Sequence, residues 1–73
     1  MRNVAIAAGN SGDPALLASL EPLLADAAPV VRAMAVWATA RLATRGHVAD
    51  LAARHLPVEL DAEVRAEWRQ VLL

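Results

Sequence analysis

Every basic side chain in this sequence is an arginine, and three of the seven recur at a near-constant interval. Arg2, Arg32 and Arg65 sit in the stretches MRNVAIAA, VRAMAVWA and VRAEWRQV, thirty and thirty-three residues apart. A guanidinium does two kinds of chemistry well: it pairs with a carboxylate through two parallel N–H groups, or it contacts phosphate. Asp26 and Glu59 stand six residues before Arg32 and Arg65, and Asp61 is close by. The expectation is therefore a structural ladder of Asp26, Arg32, Glu59, Asp61 and Arg65 rather than a row of phosphate contacts. Arg2 has no acidic residue at the same offset, which leaves it a candidate for RNA or domain contact.

Other polar residues are candidates because no helix needs them. Asn3 and Asn10 fall here, with Asn10 also suited to a left-handed turn residue. Arg41 and Arg45 bracket the end of one helical stretch and Arg54 ends the next. Cations at helix C-termini complement the macrodipole, yet these three are also the local basic cluster available to an RNA backbone. His47 and His55 are eight residues apart, outside the i, i+4 spacing of a helical metal pair. Ser11 and Ser19 have no identifiable activating base, so no catalytic or metal-ligating constellation is expected and the chain reads as non-enzymatic.

The elements that must position these groups are helices. About a quarter of the chain is alanine, with no Phe or Tyr, and alanine and leucine carry the lowest helix cost. Five short helices are expected, over about 1–9, 14–25, 30–43, 46–55 and 61–72, in one unit spanning 1–73. Gly9 suits a C′ position with positive φ, Asp13-Pro14 starts the second helix, and Asp61 caps the last. Leu16, Leu17, Leu20, Leu23 and Leu24 share one face. The helix from Val30 is apolar on two faces, one through Val31, Met34, Ala35, Ala38 and Leu42, the other through Val30, Ala33, Trp37 and Ala40. It belongs in the middle, with Trp37 and Trp68 in the core. Self-similarity at this period marks stacked helix pairs. The fold class is all-α, a right-handed HEAT-like superhelix of about two and a half repeats.

Composition narrows the function. There is no cysteine, so neither a disulfide framework nor a thiolate-held metal or cluster is possible in this chain. The net charge of −1 gives no general pull toward nucleic acid. No apolar run reaches membrane-span length, and a cytoplasmic location is expected.

The stretches RNVAIAAGNSGDPAL and LEPLLADAAPVVRAMAVWATARL resemble the C-terminal helical-repeat region of epoxyqueuosine reductases. The resemblance covers about Arg2 to Leu42. Its most specific part is the Arg2-Asn3 pair followed by Gly9-Asn10 and Gly12-Asp13, whereas the Asp26–Val31–Arg32 pattern is shared by HEAT-like repeats generally. It implies a parent oxidoreductase of tRNA queuosine synthesis, with a cobalamin and two [4Fe–4S] clusters on an upstream catalytic part. This chain would carry no cofactor and would help to hold tRNA or brace its own catalytic domain. The first helix would then be the second half of a repeat, with Val4, Ile6 and Ala7 uncovered and self-association through that helix expected. The alternative is a HEAT-like protein-interaction scaffold unrelated to tRNA. A bilin-lyase-like repeat shares the grammar but would not be expected to supply the RNVAIAAGNSGD opening.

Overall fold

The described residues form five α-helices, with short 3₁₀ turns on either side of the second and between the last two: α1 Arg2–Ser11, α2 Leu17–Leu20, α3 Pro29–Leu42, α4 Arg45–His55 and α5 Ala62–Val71. The computed structural model describes the backbone of residues 2–73 and the side chains of residues 5–73. Among them there is no strand, and no helix is long and apolar enough to cross a membrane.

Local chemistry explains most boundaries. Asp13 accepts from the Ala15 N–H at 3.0 Å, with Pro14 directly after it. Thr44 caps α4 by accepting from the His47 N–H at 3.2 Å. Asp61 caps α5 by accepting from the N–H groups of Glu63 and Val64, at 2.9 and 3.1 Å. Each satisfies donors that a helix start leaves unpaired. The leucine-striped second segment is less regular than its periodicity promises. It runs as 3₁₀ at Pro14–Leu16, α at Leu17–Leu20 and 3₁₀ at Glu21–Ala25. Pro22 falls near the start of the last of these; it has no N–H to continue an α-helical ladder, and its ring disfavours the preceding turn.

The end of α1 departs from expectation. The helix runs through Gly9 and Asn10 to Ser11, and the left-handed residue is Gly12, at φ 69°. Asn10 is helical and no non-glycine described here has positive φ. Ser11 Oγ donates to the Ala8 carbonyl at 2.6 Å and accepts from the Asp13 N–H, so this end is satisfied two residues later than Gly9 would allow. The reason for Gly9 is packing. It is buried against Trp37, and a Cβ there would collide with Trp37 Cζ3.

Helix α3 touches α1, α2, α4 and α5, as an element apolar on two faces must. Its Ala35, Val36, Ala38 and Thr39 are buried. Around them pack Ala5 and Ala8 of α1, Leu20, Leu23 and Leu24, then Val48, Leu51 and Ala52 of α4, and Val64 and Trp68 of α5. Alanines at these positions let the helix axes approach closely. Trp68 is 2% exposed and supplies the largest buried side chain, with His55 stacked on its ring at 5.9 Å between centroids. Trp37 differs from expectation: it is half-buried, at the edge of the core.

Candidate functional site

The recurring arginines form a clamp. Arg32 Nε donates to Glu59 Oε1 at 2.7 Å and its Nη2 donates to Glu59 Oε2 at 2.9 Å, a two-point grip. Its Nη1 donates to the carbonyls of Asp26 and Ala27, at 2.8 and 3.1 Å. One side chain thus ties the turn before α3 to the turn before α5. Glu59 is buried, and its remaining acceptor capacity is met by the Asp61 N–H at 3.1 Å. The Arg32 hydrogen bonds hold the Glu59 carboxyl below the usual glutamate range; burial opposes this, and the Asp61 N–H adds to it. The same contact holds Arg32 more firmly charged than a free guanidinium.

Sequence spacing leaves open which acid each arginine takes, and the structure pairs Arg32 with the Glu59 carboxylate. Arg32 takes the backbone, not the carboxylate, of Asp26, and Asp26 Oδ2 instead accepts from the Ala28 N–H at 2.9 Å. Arg65 likewise takes the Glu59 carbonyl at 3.1 Å. The Glu59 carboxylate is taken by Arg32. Asp61 serves as a helix cap. The two turns share the same local hydrogen bonds, and an offset of six residues does not reveal which carboxylate a guanidinium reaches.

The second cluster lies on α1 and α3. Arg41 is exposed; its Nε donates to the Gly9 carbonyl at 3.1 Å, and its guanidinium lies 5.2 Å from the centre of the Trp37 ring. That arrangement is a cation–π contact. Asn10, also exposed, joins Ile6, Met34 and Trp37 around a shallow cavity of about 320 Å³. An amide, a half-buried indole and a guanidinium so placed can offer hydrogen bonds, a stacking face and positive charge. Trp37 was missed as a surface group because its spacing matches the apolar face of α3.

Arg45 and Arg54 lie apart from this cluster. Arg45 donates to the Leu73 carbonyl at 2.9 Å, binding the start of α4 to the chain's last residue. Arg54 is exposed at the end of α4. The side chains of Arg2 and Asn3, and of Val4, lie outside the described ones; Ile6 is half-buried and Ala7 exposed. His47 Nε2 lies 3.7 Å from Glu21 Oε1 on the surface. Among the described residues no three His, Asp or Glu side chains converge as a metal site would need.

Beyond Met34, the surface continues into a trough of about 230 Å³ lined by Val30 and Ala33 and by the acidic Asp61, Glu63 and Glu67. Comparison with protein-family models, with curated proteins and with solved structures finds no match to this chain.

Proposed function

We propose that this chain is a non-catalytic binding module, the HEAT-like C-terminal region of an enzyme similar to epoxyqueuosine reductases. Its task would be to help seat a tRNA against a cytoplasmic catalytic part. The observation that carries this reading is the grouping of Asn10, Trp37 and Arg41. Asn10 and Gly9 come from the most specific stretch of the resemblance, and Arg41 and Trp37 meet that stretch from α3. Amide, ring and guanidinium suit an unpaired base and its phosphate. Without cysteine, this chain's residues do not fit an iron–sulfur cluster; clusters and cobalamin would belong to the upstream part.

One observation favours a second reading, a scaffold for a protein segment. Asp61, Glu63 and Glu67 border the same surface through Met34. Carboxylates repel phosphate and would attract a cationic apolar segment.

A titration with a queuosine-type anticodon stem-loop at several salt concentrations separates the two. On the RNA reading, binding weakens with salt at a log–log slope of about −0.7 to −0.9 per phosphate neutralised. Arg41→Gln then lowers the affinity and flattens that slope, whereas Asp50→Asn on α4 changes neither. Absence of binding at low salt would refute the RNA reading for this module.

A further inference from the structure

We propose that the α4–α5 end of the molecule is a docking face for a protein segment that brings a helix pair with a carboxylate at its head, gripped by Arg65. The molecule contains the precedent. Arg32 and Arg65 each donate Nη1 to the carbonyl six residues back, at 2.8 and 3.1 Å. With that bond made, Arg32 turns Nε and Nη2 to Glu59, the acid heading the following helix. Arg65 is half-buried in the same posture, and among the described residues it makes no ion pair.

The surface beside Arg65 is apolar. Ala49, Ala52, Ala53 and Leu56 of the α4 segment, with Pro57 and Leu72, line an open groove of about 460 Å³ that Arg65 also lines. Small side chains along α4 permit close approach of another helix. Leu72 is 41% exposed. A guanidinium in the wall of an apolar groove selects for an apolar helix preceded by Asp or Glu, with the carboxylate held by its own turn as Glu59 is held by the Asp61 N–H.

The test supplies such a segment in register. Residue 73 stands thirty-three positions after Ala40, the Arg32-to-Arg65 interval. Appending a second copy of residues 41–73 directly after Leu73 therefore places its Glu59 where Arg65 needs it. The extended chain should unfold in one transition, with a midpoint roughly 5 °C or more above that of the parent chain. Glu59→Gln in the appended copy should lower that midpoint by roughly 4 °C, and Asp50→Asn in the same copy should leave it unchanged within about 1 °C. Arg65→Gln in the first copy should make the appended Glu59→Gln nearly silent, because the two act as one pair. Two separate transitions with the first unshifted would overturn the proposal. So would additive losses from the two substitutions.

Discussion

Glycine substitutions separate what a residue does for the backbone from what it does for packing. Gly9 and Gly46 both lie inside helices, where alanine is favoured by about 0.8–1.0 kcal/mol. At Gly46 nothing lies within 4 Å of an added Cβ, so Gly46→Ala should raise stability by about 0.5 kcal/mol. At Gly9 the Cβ meets the Trp37 ring, which the Arg41 contact holds in place. Gly9→Ala should therefore lower stability by about 1–3 kcal/mol despite its better propensity, and shift the Trp37 fluorescence. Chemical unfolding of both variants would check the opposite signs. Thr39 poses a different question. The residue is 1% exposed and, among the described residues, its hydroxyl has no hydrogen-bond partner. An unpaired buried hydroxyl is destabilising, so Thr39→Val should gain about 1 kcal/mol in the same measurement.

Beside the apolar core, the Arg32–Glu59 clamp joins elements directly. It fastens the turn before α3 to the turn before α5, at a place where neither turn has a ladder of its own. Because Glu59 is held below its unfolded value of about 4.3, its contribution is fully present above that pH. It is lost as pH falls through the folded value, since the unfolded chain then binds the proton first. Thermal midpoints measured from pH 7 down to pH 3 should fall steeply below about pH 4.5. Glu59→Gln should be less stable at pH 7 and should show a shallower acid limb. An unchanged acid limb in that variant would mean that other carboxylates set it. Arg32 titrates far above this range and adds no slope of its own.

Across the whole molecule, the described residues form a slab of 28 × 25 × 17 Å with a Cα radius of gyration of 10.7 Å, close to the roughly 11 Å of a folded chain this long. The helix count, the capping residues Asp13 and Asp61, and the central place of α3 were all legible in the sequence. Each rests on short-range chemistry: an N-cap oxygen needs only its next two or three residues, and a helix apolar on two faces must be covered on both. The regular interval of the arginines was legible too, as was the absence of any cysteine to hold a cluster. Tertiary structure alone decided the rest. Gly9 looks like a helix stop in one dimension and is a packing concession to Trp37, twenty-eight residues away. Trp37 reads as core by its spacing, and it packs at the core's edge with Arg41 over its ring. Arg32 passes the nearer Asp26 carboxylate for that of Glu59. For Gly9 and Arg32 the deciding neighbour is distant in sequence, and periodicity carries no information about which side chain arrives there.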